Sequence, residues 1–339
     1  MTTCPAFDHL VVLPRLRVQN ANAISSPLTH GFPSITAFLG LAWALERRAR
    51  EGGLDLRIKA VGVVCHDHDE QVSGDRWVKS FHLTRNPVDK DGSTAAIVEE
   101  GRIHLTLSLV LAVSSARWMA AADATAAEGD LHTLAALLGG LRIAGGSCLP
   151  APGTGRRQRP VVLPWTGTLD DRAGAFRRLR QFLLPGFALV ARDDLLDTRL
   201  AQLRAIQPES TRLDAWLSLS RVNWRWQSAN QGKDETAGGS WQHDRAGLGW
   251  VVPIPVGYGA LGALHAPGSV ANTRDASTPF RFTESIYSVG QWIAPHHLDA
   301  PEQLLWYADH VPDAGLYRCR NDFATFGTTQ TPVWAGDDD

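Results

Sequence analysis

FDHLVVLPRLRVQNANAISSPLTHGFPSITAFLGLAWALERRAREGG, Phe7 to Gly53, holds three successive patterns whose order decides the fold. Phe7 to Leu13 is a short apolar run suited to a buried strand. Pro14 to Ser34 has no acidic side chain but carries Gln19, Asn20, Asn22, Ser25, Ser26 and Thr29, and reads as a polar connecting loop. A structureless connection of this length inside a compact domain is usually functional or disordered, and the anchors Ile24, Leu28 and Phe32 argue against disorder. Each amide offers two donors and an acceptor, so Gln19, Asn20 and Asn22 can pair with base edges or 2′-hydroxyls, while Arg15 and Arg17 can meet phosphates. Ser34 then caps a predicted helix in which Ile35, Phe38, Leu39, Ala42 and Leu45 recur at helical spacing, until Gly52 and Gly53 stop it.

Beyond this stretch, Leu56 to Cys65, Trp77 to Leu83 and Ile103 to Val113 read as strands. Trp118 to Leu138 reads as a helix, and LRIAGGS, Leu141 to Ser147, as a returning strand. Strand, helix, two or more strands, helix, strand is the split βαβ pattern of a ferredoxin-like or RNA-recognition-type sheet. The expected class is α+β: such an N-terminal domain over residues 1–150, with an inserted arm at about 86–101, followed by a Pro/Gly/Arg-rich linker or loop at 151–165. An irregular α+β part at 166–339 follows, ending in the acidic tail GDDD. Within it, Arg172 to Leu184, Asp193 to Ile206 and Leu213 to Leu219 suit helices, Phe187 to Val190 and Gly249 to Pro255 short strands, and Ser228 to Ser240 a mobile surface loop.

At 339 residues the chain exceeds the size at which one core usually keeps growing, and 44% hydrophobic residues with twelve tryptophans supply a sizeable interior. The four cysteines, Cys4, Cys65, Cys148 and Cys319, are scattered without C-x-x-C spacing, which suits buried thiols in a reducing cytoplasm. No segment reads as a signal peptide or membrane span. Net charge is −2, from 33 basic and 35 acidic residues, which disfavours a free-standing nucleic-acid binder but not a subunit gripping a few nucleotides inside an assembly. Local positive charge lies at Arg156, Arg157 and Arg159, and again at Arg172, Arg177, Arg178, Arg180 and Arg192.

His66-Asp67-His68-Asp69-Glu70 has the residue types of a zinc or manganese site, and a metal-dependent hydrolase centred on His66, His68 and Asp69 is one rival reading. Against it, Glu70 stands where the H-x-H-x-D motif needs Asp, and Gln71 where that motif has another His. His30, His82 and Lys90 could move protons in RNA cleavage, but each suits a structural or RNA-contacting role better, and no catalysis is expected. No phosphate-loop or dinucleotide fingerprint occurs, and no cofactor is expected. Gly145-Gly146-Ser147 could bring backbone amides close to a phosphate or simply form a tight turn. Arg85 could clamp a phosphate and Asn86, extended before Pro87, a base or ribose edge. RVNWRWQ, Arg221 to Gln227, could stack bases, but the preferred reading packs one of its faces into the second domain and turns the other to a protein partner. A protein-interaction scaffold with incidental RNA contact is the second rival.

VLPRLRVQNANAISSPLTHGFPS from Val12, HLTRNPVDKDGSTAAIVEEGR from His82, LRIAGGS from Leu141, LLPGFALVAR from Leu183 and GWVVPIPVGYGAL from Gly249 spread over nearly the whole chain. Together they resemble the Cas-five-type (Csy two) subunit of the type I-F CRISPR Cascade, the Csy complex. The resemblance implies a non-catalytic, cytoplasmic subunit that holds the 5′ handle of the CRISPR RNA and pairs with the large subunit at the tail of the complex. It also implies an adjacent backbone subunit of the filament, guide processing by a separate endonuclease, and target DNA met through the assembled complex, chiefly by guide pairing. Arg15, Gln19, Asn20, Asn22, Ser25 and Ser26 are the first expected RNA contacts, Arg85 and Asn86 the second, and Arg142, Ser147, Arg156 and Arg157 the third.

Overall fold

The computed structural model describes residues 3–74, 78–85, 88, 91–120, 125–149, 155–228 and 239–326. Among them, eleven strands form one sheet in which every pairing is antiparallel. In chain order these are β1 (His9–Asn22), β2 (Arg57–Glu70), β3 (Arg102–Ser114), β4 (Arg142–Ile143), β5 (Gly146–Leu149), β6 (Val161–Pro164), β7 (Phe187–Ala191), β8 (Val251–Ala260), β9 (Thr283–Ile293), β10 (Leu305–Val311) and β11 (Leu316–Asn321). The helices are α1 (Ile35–Glu51), α2 (Ala116–Ala120), α3 (Thr125–Gly139), α4 (Leu169–Phe182), α5 (Asp193–Arg204) and α6 (Arg212–Leu219). The described protein is thus a mixed α/β fold around a large antiparallel sheet.

β3 sits between β1 and β2, and both of its faces are covered. Period-2 alternation sends Val11, Leu13, Leu109 and Leu111 to the face packed by α1 and α3, through Phe38, Leu45, Leu134 and Leu138. Leu10, Val12 and Val110 point the other way, against Phe176 and Leu179 of α4. A third cluster joins Leu196 and Leu200 of α5 and Trp216 of α6 to Val251 and Val289. The expected cap of α1 is present: the Ser34 hydroxyl accepts from the Thr36 N–H at 3.3 Å. Buried Glu46 then ties α1 to β2, accepting from Arg50 at 2.7 Å, Arg57 at 3.1 Å and the Ile58 N–H at 2.8 Å.

One expectation is corrected directly. The stretch from Pro14 to Asn22 is not loop; it continues β1, paired with β3 as far as Asn22↔Arg102. Register shifts between Leu13 and Leu16 and between Val18 and Ala21 mark two irregularities, and a left-handed residue sits in each, Arg15 at φ +49° and Asn20 at φ +57°. An extra residue at each bulge breaks the alternation that reveals a strand in sequence. What remains of the polar stretch is a tight hairpin, Ile24–Ser26 paired with Thr29–His30.

Past residue 160 the strands extend the same sheet. β7 and β10 share the second edge of β2, β7 pairing at Val64 and Cys65 and β10 at Val61 and Gly62. Pairings therefore run in a closed ring, β2 to β7, β9, β8, β11, β10 and back to β2. Trp306 of β10 is fully buried within it and donates from Nε1 to the Leu189 carbonyl at 2.8 Å. Short paired strands join Val72–Gly74 with Lys79–Phe81 and Leu83–Thr84 with Val98–Glu99, of which only Val98–Glu99 falls within the expected arm at 86–101. Trp77, Asn86, Lys90, the tail GDDD and residues 229–238 of the expected mobile loop lie outside the described residues, whereas Gly239 and Ser240 belong to a strand. Among the described residues no helix is long and apolar enough to cross a membrane.

Candidate nucleic-acid interface

The second bulge of β1 builds the site. Asn20, held left-handed, donates its backbone N–H to Nδ1 of His104 on β3 at 3.1 Å. Across from it, β4 and β5 form a hairpin whose two turn residues, Ala144 (φ +47°) and Gly145 (φ +79°), are both left-handed, as a two-residue turn requires. The Asn22 N–H donates to the Ala144 carbonyl at 2.8 Å, and Gly146 lies so close to β1 that a Cβ there would stand 2.7 Å from the Ala21 nitrogen. That close seating brings Gln19, Asn20, Arg142 and Ser147 around one open cleft of about 390 Å³. His82 and Thr84 from the segment before the expected arm and Gln71 after β2 complete it, with Glu100 and Arg102 beside them.

The cleft is hydrogen-bonding rather than strongly charged. Arg102 is neutralised by Glu100 at 2.7 Å, and this hydrogen bond is the main reason the Glu100 carboxyl lies below the usual range. Arg142 reaches the Gly145 carbonyl at 3.3 Å and is otherwise exposed. Amides, hydroxyls and imidazole at such density suit ribose hydroxyls and base edges, with few charges for phosphate. Arg85 is exposed immediately beyond Thr84. Gln71, Thr84, Arg102 and His104 were not singled out from sequence; the alternation of Arg102 and His104 along β3 was the signal available.

Other expected contacts are committed elsewhere. The Asn22 side chain closes a local turn, donating from Nδ2 to the Ile24 carbonyl at 2.7 Å and accepting the Ile24 N–H at 3.1 Å. Ser26 is buried and bonds Thr29 at 2.6 Å, and Ser25 lies 3.3 Å from the same hydroxyl, so these three side chains hold the hairpin. Asn86 lies outside the described residues, as does the side chain of Arg156.

Arg15 and Arg157 form a separate basic pair at the first bulge. Both guanidiniums donate to the Leu184 carbonyl, at 3.0 and 3.3 Å. Burial lowers the Arg15 pKa, and the charge of Arg157 lowers it further. Behind them runs a chain of hydrogen bonds: the Arg15 N–H donates to Ser108 Oγ at 3.0 Å, Ser108 lies 2.6 Å from His66 Nε2, and His66 Nδ1 lies 2.6 Å from the Pro185 carbonyl. Burial chiefly depresses the His66 pKa, as the neutral ring of this network requires.

This network also removes the geometry of the hydrolase rival, because both His66 nitrogens face hydrogen-bond partners and offer no lone pair to a cation. Among the described residues, no group of three or more His, Cys, Asp or Glu side chains could hold a metal ion. Burial pushes the Cys65 thiol up to about 12, which leaves it protonated. The tryptophan segment is corrected too: Trp224–Ser228 pairs with Gly239–His243, and Trp224, Trp226 and Trp241 stay 58, 54 and 61% exposed. Arg225 and Gln242 on the other face are exposed as well, so neither face packs into the body of the protein.

Comparison with known proteins accords with this layout. A sequence model of the CRISPR-associated protein family Cas_Csy2 matches residues 11–319. A relative described as CRISPR-associated protein Csy2, from Pseudomonas aeruginosa (strain UCBPP-PA14), is 45% identical over 322 residues, 92% of this chain and 94% of the relative.

Proposed function

The chain belongs to the Csy2 family of CRISPR-associated proteins, and from that premise we propose that it is a non-catalytic subunit of a type I-F surveillance complex that binds the 5′ handle of the CRISPR RNA. One observation carries the reading: Gln19, Asn20, Arg142 and Ser147, distant in sequence, face one neutral, hydrogen-bonding cleft. Gln19 and Asn20 meet base edges or 2′-hydroxyls there, and Arg142 meets a phosphate. Arg85, exposed just beyond Thr84, extends the track, Asn86 is a further RNA contact from outside the described residues, and Arg15 with Arg157 forms a second phosphate contact. The order β5-β1-β3-β2, with α1 and α3 on one face, supports a ferredoxin-like reading of the first 150 residues. Residues 151–165 are then a connection that is not all loop, because it lends β6 to the sheet beside β1, and the remainder is a second part joined to the first through β2. Near-neutral net charge supports work inside an assembly, beside the large subunit and a backbone subunit in the cytoplasm, where target DNA is met through the complex.

The test is guide retention by the reconstituted complex carrying Gln19→Ala, Arg142→Ala and Ser147→Ala together. Retention falls, and the Arg142→Ala change alone lowers the salt slope of binding by about 0.7, the share of one single-strand phosphate. Normal guide occupancy in the triple variant would refute the cleft as the RNA site.

A further inference from the structure

A second cavity, of about 460 Å³, opens between the Ile24–Ser26/Thr29–His30 hairpin, the end of β2 and strands β7 to β9. Its apolar walls combine aliphatic residues such as Ile35, Leu189 and Ile254 with a row of aromatic rings. Phe32 meets Trp292 edge-on at 4.9 Å, Trp292 lies 6.1 Å from Trp250, and Trp250 lies 5.8 Å from Phe187. Trp250 and Phe187 remain 51 and 45% exposed, so large rings stand at the rim with a face left open. The polar lining includes His66, Asp67, His68 and Glu70 of β2 with Ser25 and His30 of the hairpin; among the described residues, no lysine or arginine lines the cavity. Glu70 is engaged by His30 Nδ1 at 3.0 Å and one Asp67 oxygen accepts the His68 N–H at 3.0 Å, which leaves the other Asp67 oxygen to accept a hydrogen bond from an amino group while the carboxylates repel a phosphate. Glu70 lines this cavity and Gln71, the next residue, lines the polar cleft, so one strand end separates the two.

We propose that this cavity receives a single unstacked nucleobase of the bound RNA, an adenine or cytosine whose ring lies against Trp250 and Phe187 and whose amino edge meets Asp67. The inference rests on the RNA-binding reading above and adds a base-specific pocket to it. An unpaired base presents a flat apolar face together with amino donors, which is the combination these walls complement. An aliphatic side chain from a protein partner would use the apolar walls and leave the second Asp67 oxygen without a donor.

The experiment assembles the complete ribonucleoprotein on guides carrying emissive thieno-analogues of adenosine or cytidine, which keep the Watson–Crick amino group, at one position at a time through the handle. One position is quenched by stacking, and Trp250→Leu with Phe187→Leu, which keeps apolar bulk, restores its fluorescence and weakens guide binding roughly 10-fold. Asp67→Asn relaxes the preference for adenine or cytosine over uracil at that position, and an unchanged preference would overturn the amino-edge assignment. Guides bound normally with no responsive position would overturn the pocket while leaving the cleft intact. Failure of the wild-type assembly to hold any guide would remove both readings. Loss of a protein subunit from the leucine variant with every fluorescence signal unchanged would assign the cavity to that subunit instead.

Discussion

Asn20 and Asn22 stand two positions apart on one strand and do different work. Asn20 needs a left-handed backbone and leaves its amide at the cleft, whereas the Asn22 amide is spent on Ile24. Asn20→Gly keeps the backbone without strain and removes the side chain, so urea melts stay unchanged while guide retention drops about 10-fold. Asn22→Ala does the reverse, costing about 1 kcal/mol of stability with a smaller change in retention. Stronger loss of guide from Asn22→Ala would reverse these roles. His66 gives a pH signature. Burial first, then the Arg15 charge, holds its pKa below the ordinary value of 6.5, against the Pro185 carbonyl, which raises it. On acidification the unfolded chain takes this proton before the folded chain does, so stability present above about pH 6.5 is lost as pH falls toward the folded value. His297, lowered by burial and by His296, acts in the same direction, so the discriminating quantity is the difference between proteins. The His66→Gln variant shows a shallower fall in unfolding free energy between pH 7.5 and 5 than the wild type; parallel curves would contradict the network.

Among the elements, the β4–β5 hairpin decides whether there is a cleft. Its turn was legible in LRIAGGS, but its seating on β1 was not, since that depends on Gly146, where a Cβ would stand only 2.8 Å from the Gln19 carbonyl oxygen. Gly146→Ala therefore lifts the hairpin, lowers stability by about 1–3 kcal/mol and separates Arg142 and Ser147 from Gln19. Parallel urea titration and RNA-binding measurements check this, and a variant unchanged in both would show that the hairpin is not seated so closely. The helices were easier to read. Apolar residues at helical spacing and the Ser34 cap placed α1 closely, because caps and periodicity depend on neighbours within a turn or two. β1 was cut short in the reading because bulges erase the alternation on which strand recognition relies, and residues that look like loop are then strand.

On the scale of the whole molecule, β2 is shared: it pairs with β3 on one edge and with β7 and β10 on the other. Gly62 allows that contact, since a Cβ there would stand 2.5 Å from Leu304 Cγ, and Trp306 fills the interior beside it. Trp306→Ala costs about 3–5 kcal/mol and lowers one common transition seen by both tryptophan fluorescence and far-UV circular dichroism. Two separated transitions would instead favour independent units on either side of residue 150. Composition and pattern alone determined an α+β protein with a large core, a capped first helix, a central apolar strand, and an amide-rich segment after the first buried run. Only the tertiary structure decided which of those amides remain available, because a side chain's hydrogen bonds depend on partners that folding brings near. The same holds for the two cavities: their walls come from strands far apart along the chain, and one turn of strand at Glu70 and Gln71 separates an aromatic, carboxylate-lined pocket from a polar cleft.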